Sequence, residues 1–287
     1  MILISIYDFH CHSSASDGAL TPRELVRRAA GNGVRHLALT DHDTVAGIDE
    51  AQATADAFDI ELVPGVEISV TWESKCFHVL GLYVDPESEP LRRGLGQLQR
   101  IRIERAERMA ARLAKHGIPG ALEAVRTMAG EGMITRTHFA RFLVAQGFAE
   151  TVSDVFGHYL VHGKPGYVNT RWAELEAALD WISTAGGVAV LAHPLRYRLT
   201  ASWLRRFLTA FQSHGGQGIE VVCGNSTTAQ IETAADYARR YRLLGSVGSD
   251  FHDPAFPWID LGRLPPLPPG ITPVWEAFAP THAAANA

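Results

Sequence analysis

The residues best equipped for chemistry in this sequence are histidines and carboxylates that recur where β-type runs finish. His10-Cys11-His12 ends the first run, Leu3 to Phe9. In a strand, residues i and i+2 project from one face, so both imidazoles can reach one ion while Cys11 points away. Alone, such a pair fits a hydrogen-bonded strand end as well as a metal site. The other runs end in the same currency of side chains. Thr40-Asp41-His42-Asp43 follows His36 to Leu39, and Gly65-Val66-Glu67 follows Glu61 to Val63. Ala192-His193-Pro194 follows Val188 to Leu191, and Ser249-Asp250-Phe251-His252 follows Leu243 to Val247. His78 lies inside its own run, Phe77 to Tyr83. Imidazole and carboxylate without thiolate suit manganese, iron or zinc, and a carboxylate such as Glu67 can bridge two ions. Cys11, Cys76 and Cys223 form no Cys-x-x-Cys pair, so neither a disulfide framework nor a thiolate zinc site is expected.

Ligands so scattered need a scaffold that gathers strand ends. Strand runs, with Ile219 to Val222 among them, alternate with helical patterns, which indicates an α/β sheet or barrel; in a barrel the carboxyl ends of the strands converge on one face. Thr21-Pro22-Arg23-Glu24 reads as a helix start with a capping box, and Gly33 as its stop. Thr44 and Ser226 are N-cap candidates for helices over Val45 to Phe58 and Thr227 to Tyr241. Between Leu91 and Pro165 the alternation gives way to helical patterns, Gln97 to His116, Thr137 to Gln146 and Val152 to Val161. The expected division is therefore 1–90 and 166–287 for the main body, with a helical insert at 91–165. After Leu264, Pro265-Pro266-Leu267-Pro268-Pro269 ends regular structure.

The 287 residues are 46% hydrophobic and 20% charged, enough to build a globular core, and no run of about 18 apolar residues suggests a membrane span. Met1 to Ile6 lacks the basic flank of a signal peptide, so a cytoplasmic location is expected. A net charge of −5 argues against a protein that coats long nucleic acid, but leaves a nucleotide or short single-stranded oligonucleotide open. Against that acidic background, Leu91 to His116 carries eight basic residues (Arg92, Arg93, Arg100, Arg102, Arg105, Arg108, Arg112, Lys115) and only Glu104 and Glu107, a local excess of +6. Such a run is either a solvated helix face with ion pairs or a surface that attracts phosphate.

The ordered set of motifs resembles the polymerase and histidinol phosphatase (PHP) family of metal-dependent phosphoesterases: Asp8-Phe9-His10-Cys11-His12 with Asp17-Gly18, then Leu39-Thr40-Asp41-His42-Asp43, Gly65-Val66-Glu67, His78, Ala192-His193-Pro194 and Gly248-Ser249-Asp250-Phe251-His252. The resemblance implies a distorted (β/α)7 barrel with a small helical insert and two or three divalent ions, manganese first, with iron or zinc as alternatives. It assigns His10, His12, Glu67 and Asp250 to one ion, Glu67, His78 and His193 to a second, and Asp17, His42 and His252 to a third. Asp41 and Asp43 would orient His42 or cap the next helix.

Ile134-Thr135-Arg136-Thr137-His138-Phe139-Ala140-Arg141 and Gly163-Lys164-Pro165-Gly166-Tyr167-Val168 narrow the resemblance to the subgroup of 3′,5′-nucleoside bisphosphate phosphatases and ribonuclease AM, a 5′-to-3′ exoribonuclease on short RNA. The implied substrate is a nucleotide or short oligonucleotide with a 5′ phosphate, held by Arg136 and Lys164, with His138 and Arg196 as further contacts. His193 and Asp250 are the expected catalytic residues, and no obligate protein partner is evident. The rivals are a small-metabolite phosphatase such as histidinol phosphatase and a metal-dependent amidohydrolase. The second commonly needs a carboxylated lysine at a strand end, and neither Lys75 nor Lys164 finishes a strand run.

Overall fold

Distant motifs meet because the sheet curls back on itself. The computed structural model describes residues 6–197 and 199–278. It begins with β1 (Tyr7–Asp8), α1 (Pro22–Gly31), β2 (His36–Leu39), α2 (Ile48–Ala55), β3 (Glu61–Trp72) and β4 (Lys75–Leu82). A helical stretch follows: α3 (Glu89–Lys115), α4 (Ala121–Ala129), α5 (Arg136–Ala145), α6 (Val152–Val155) and a π-helical turn, Phe156–Leu160. Alternation resumes with β5 (Ala173–Glu174), α7 (Leu175–Thr184), β6 (Val188–Leu191), α8 (Ala201–Ser213), β7 (Gly218–Cys223), α9 (Thr228–Tyr241) and β8 (Leu244–Gly248). Leu3 to Ser5 of the first expected run lie outside the described residues.

The strands run in the order β1-β2-β3-β4-β6-β7-β8, with β5 paired to β3. The ends of the sheet are joined by Phe9 N–H donating to Val247 O at 2.9 Å and Asp250 N–H to His10 O at 2.7 Å. This is a distorted (β/α)7 barrel with a helical insert. The distortion is concentrated in β3 and β4, which form an antiparallel hairpin, and β4 is again antiparallel to β6. No helix separates β3 from β4, contrary to the strict alternation expected, because Glu73 at φ 52° lets the chain reverse tightly. β3 is also far longer than Glu61 to Val63, so Glu67 lies mid-strand rather than beyond a strand end.

Local sequence explains the better-placed helices. Thr21 accepts from Glu24 N–H at 3.2 Å and Glu24 Oε2 accepts from Thr21 N–H at 2.9 Å, the expected capping box of α1. Two other cap assignments fail. The helix after Thr44 starts only at Ile48 with Gly47 before it, while Thr44 Oγ1 accepts from Ala46 N–H instead. Ser226 donates its hydroxyl to Cys223 O, and Thr227 caps α9 in a box with Gln230.

The insert has its own core, in which Ala106, Met109, Leu113, Phe139, Leu143 and Leu160 pack together. Helix α3 connects it to the barrel: Leu91, Leu95 and Leu98 pack with the sheet and α7, whereas Met109 and Leu113 pack in the insert. At 1.5 Å per residue this helix is roughly 40 Å long. Arg102 and Arg105, three residues apart on one face, sit between the two cores. Burying each large apolar side chain stabilises the fold by about 2 kcal/mol, so the stretch carrying these arginines is clamped at both ends.

Candidate metal centre and adjoining cation cavity

Glu67 is the hub of the histidine cluster. It is buried, and its Oε1 lies 3.4 Å from His10 Nε2, 2.9 Å from His78 Nδ1 and 3.0 Å from His193 Nε2. Its Oε2 is 3.4 Å from His12 Nε2 and 2.7 Å from His42 Nδ1. His10 and His12 reach it as the strand-face argument requires, while Cys11 turns away and donates to Ala38 O at 3.1 Å. Asp250 Oδ1 approaches the Nε2 atoms of His10 and His12 at 3.4 and 3.3 Å. Asp17 Oδ1 is 3.3 Å from His252 Nε2 and 3.9 Å from His42 Nε2. All nine residues expected to bind metal are thus in one place. Seven of them form three groups with donor atoms within 4.8 Å of one another, namely His10, His12, Glu67; His42, Glu67, His78; and His12, Asp17, His42, His252, while His193 and Asp250 border these groups through Glu67, His10 and His12. His12, His42 and Glu67 are therefore each shared between two groups.

The donor chemistry fits several divalent cations. His10 Nε2 and His12 Nε2 lie 3.1 Å apart among carboxylates, Asp17 Oδ1 is buried without a hydrogen bond, and Glu67 Oε2 and His42 Nδ1 face each other at 2.7 Å without the alignment of one. Orphaned acceptors in a dry site are costly unless a cation satisfies them. Burial opposes charge on His78, but the carboxylate of Glu67 outweighs it and raises the imidazole to about 10. Burial likewise opposes charge on His252, and Asp17 lifts it to about 9. Burial, then repulsion from His252 and His42, lowers His12 to about 3. Without metal the cluster thus compensates its carboxylates with protons, which metal binding must displace. His193 and Asp250 also hold left-handed backbones, φ 30° and 53°, a strain typical of functional positions.

Glu220, on β7, is a residue the sequence reading missed. It is 1% exposed; Oε1 is 2.9 Å from His10 Nδ1, and Oε2 accepts from His193 N–H at 2.5 Å. That contact turns His10 Nε2 toward the cluster. Gly248 makes it feasible, since a Cβ there would fall 2.3 Å from His10 Cβ and 2.7 Å from Glu220 Oε1. The available signal was a carboxylate inside the apolar run Ile219 to Val222. The expectation for Asp41 and Asp43 is corrected, because neither orients the His42 ring nor caps α2. Asp41 accepts from Ser13 N–H and from the Ser13 and Ser16 hydroxyls, bracing the loop that brings in Asp17. Asp43 accepts from Ser69 N–H and from Arg102, each within 2.7 Å.

Beside the cluster opens a cavity of about 390 Å³ whose lining includes Asp17, His42, His78, Arg102, Arg105 and Arg136. Arg102 is tied to Asp43 and Ser69. Arg105 and Arg136 have no carboxylate within ion-pair distance among the described residues; they rest over Trp172 and Phe156, and Arg105 Nε is buried without a partner. Burial, then repulsion from Arg136 and Arg102, lowers Arg105 to about 9. Unpaired cations in such a site call for an anion. Arg136, singled out in the sequence, is among the lining residues, and Arg105 was legible only as part of the basic run. The rest of that run divides: Arg92 pairs with Glu87 and Arg93 with Glu89 on the surface. Lys164 is not among the cavity's lining residues, whereas Lys75 is. His138 is 3% exposed and its Nδ1 accepts from Thr135 N–H at 3.1 Å, closing the cap of α5. Thr135 in turn donates to Asp17 Oδ2 at 2.7 Å. Arg196 is ion-paired with Asp250 on the cluster's other flank.

Comparison with known proteins decides the lineage. Residues 8–187 match the family model described as the PHP domain. The chain belongs to the PHP family. Over 95% of its length, covering 94% of the relative, this PHP chain is 47% identical to a 5′-3′ exoribonuclease of Escherichia coli. It is 45% identical to a 3′,5′-nucleoside bisphosphate phosphatase of Chromobacterium violaceum, over 94% of this chain and 95% of that one. A solved structure from Chromobacterium violaceum, described as an amidohydrolase with bound sulfate and no metal, superposes with a TM-score of 0.91 at 44% identity and 94% coverage of both chains. The protein is thus a PHP metal-dependent phosphoesterase related to the bisphosphatase and exoribonuclease subgroup. Among the described residues, no helix is long and apolar enough to cross a membrane.

Proposed function

We propose that the protein hydrolyses the phosphoester on the 3′ side of a nucleotide that bears a 5′ phosphate, as a 3′,5′-nucleoside bisphosphate phosphatase, a 5′-to-3′ exoribonuclease on short RNA, or both. The observation that carries this reading is that Arg105 and Arg136, with no carboxylate in ion-pair distance among the described residues, line the same cavity as the metal-type donors. A substrate with one phosphate at the cluster and a second on these guanidiniums neutralises both ends of the pocket. Guanidinium suits a phosphate through two parallel N–H donors. The curated relatives named above act on nucleotide substrates by their descriptions.

In this reading His10, His12, Asp17, His42, Glu67, His78, His193, Asp250 and His252 hold two or three divalent ions, manganese foremost. When bound, such ions lower the pKa of water and neutralise charge on the phosphoryl group. The chain's own residues do the rest. Arg136 and Arg105 grip the 5′ phosphate, and Asp43 fixes Arg102 beside them. Arg196 lies against Asp250, where it meets the reacting phosphate from the opposite flank, and His193 presents its ring to the leaving oxygen. His138 is assigned to the cap of α5 and Lys164 to the outer loop, so neither touches substrate. A histidinol phosphatase would have no use for the arginine pair, and an amidohydrolase lacks its lysine, since Lys75 opens β4 and Lys164 sits in a loop.

The test is a comparison of steady-state rates of the manganese-loaded protein on 3′-phosphoadenosine 5′-phosphate, 5′-phosphorylated short RNA and histidinol phosphate. The nucleotide substrates are expected to lead in kcat/KM by at least about a hundredfold, the worth of one or two charged hydrogen bonds. A lead for histidinol phosphate would overturn the assignment.

A further inference from the structure

The metal-type cluster has a second cavity on its other flank. About 110 Å³ in volume, it is lined by His193, Arg196, Glu220, Asn225, Ser226 and Gln230 among others, and shares no lining residue with the arginine cavity. Arg196 connects it to the cluster, because its guanidinium pairs with Asp250 while its side chain stays 41% exposed. The backbone is shaped around that guanidinium. Gly224 has φ 46°, and a Cβ there would lie 2.8 Å from Arg196 Nη2 and 2.8 Å from Ser249 O. The same Cβ would lie 3.8 Å from Ile259 Cδ1, which places the turn after His252 along this edge. That turn carries Phe256 and Trp258, ring centroids 5.7 Å apart, and Trp258 is 60% exposed. The turn is anchored by Arg141 to Asp253 at 3.3 Å and by Arg263 to Pro257 O at 2.7 Å, so the indole is displayed from a fixed support.

A phosphomonoester has carbon on one side of phosphorus only, and the arginine cavity already serves that side. A polar, cation-bearing cavity on the other flank has a use when phosphorus carries a second ester. Resting on the nucleotide reading above, we propose that this cavity and the Phe256–Trp258 turn form the subsite that holds the nucleotide on the far side of the scissile phosphate when the substrate is a diester. At about 110 Å³ the cavity is smaller than the roughly 300 Å³ of whole-ligand pockets, and suits one sugar or base edge. Gln230 Oε1 accepts from Thr227 N–H at 2.8 Å, leaving its NH₂ group to donate beside the Asn225 amide. Trp258 offers a face on which any base can stack. Water attacks phosphorus and the bond to the 3′ oxygen of the first nucleotide breaks. That oxygen takes the proton and becomes a 3′-hydroxyl, while the phosphate stays on the 5′ oxygen of the second nucleotide. The second product again starts with a 5′ phosphate and fits the arginine cavity for another round.

The experiment compares 3′-phosphoadenosine 5′-phosphate with 5′-phosphorylated adenylyl-adenosine as substrates of the manganese-loaded wild type, Trp258→Ala and Gln230→Ala. KM for the dinucleotide is expected to rise roughly tenfold in Trp258→Ala, with a smaller rise in Gln230→Ala. KM for the bisphosphonucleotide should stay within about twofold, which also shows that the variants fold. Parallel changes on both substrates, or none on either, would overturn the subsite. So would a wild type that hydrolyses the bisphosphonucleotide and leaves the dinucleotide intact. A wild type inert toward both would instead remove the nucleotide reading on which the subsite rests.

Discussion

The barrel rim and the helical insert face each other across one pocket, yet they are built on opposite electrostatic terms. On the rim, carboxylates and imidazoles crowd together at 2.7–3.5 Å and need added cations. On the insert side, Arg105 and Arg136 lie half-buried over aromatic rings and need an anion. Each side is costly alone, and a metal-bound phosphate ester carrying a second phosphate satisfies both. The contrast teaches that this site is half a metal centre and half an anion clamp, and that the two halves should fail differently when mutated.

Removing the hub should show the largest effect. Glu67→Gln takes away a carboxylate shared by five imidazoles, and kcat is expected to fall on the order of a thousandfold, since metal stabilisation of phosphoryl charge is worth several kcal/mol. Metal content by elemental analysis should drop with it; a variant with full metal and wild-type turnover breaks the metal half of the comparison. Glu220→Gln leaves every donor present and only loosens His10, so manganese affinity measured by titration calorimetry should weaken about 10- to 100-fold, with secondary structure unchanged. Unaltered affinity would show that Glu220 merely fills the barrel.

On the insert side, Arg105→Met removes a cation that has no partner. KM for a bisphosphonucleotide should rise roughly tenfold, while Tm stays level or climbs a few degrees because an uncompensated charge leaves a half-buried site. A drop in Tm together with an unchanged KM would make Arg105 a structural residue.

The smallest effect is on stability. Burial lowers His138 to about 4 from an ordinary 6.5, and its Nδ1 must stay unprotonated to accept from Thr135 N–H. In the window between those values the unfolded chain binds more protons, so stability rises with pH and is lost as pH falls from 6.5 toward 4, by up to about 3 kcal/mol. Denaturant melts of the wild type and His138→Gln across that window should show the slope reduced in the variant. Equal slopes would remove His138 from the account.

The rim was readable from sequence and the clamp only in part, through Arg136, for reasons visible in the residues. His10, His42, His193 and Asp250 stand where strand runs stop, and rare ligand types in repeated positions carry information even without a structure. Glu67 was found although its strand was drawn too short, because the antiparallel continuation of β3 into β4 has no signature beyond its β-rich composition. Glu220 hides inside an apolar run, and its role depends on touching His10, 210 positions away in sequence. Arg105 is one of eight basic residues in its stretch, and only burial separates it from Arg92 and Arg93. Lys164 had the right charge in the right phrase but is not among the cavity's lining residues. Ser226 and Thr227 are equivalent cap candidates by type, and the backbone alone decides between them.

The most direct test of the two-sided pocket is the ratio of kcat/KM for a nucleoside 3′,5′-bisphosphate over the matching nucleoside 3′-monophosphate, measured with manganese-loaded protein. The metal-and-arginine pocket predicts a ratio of about a hundred or more, carried mainly by KM. A ratio near one would contradict it, because the arginines would then be holding nothing that the substrate brings.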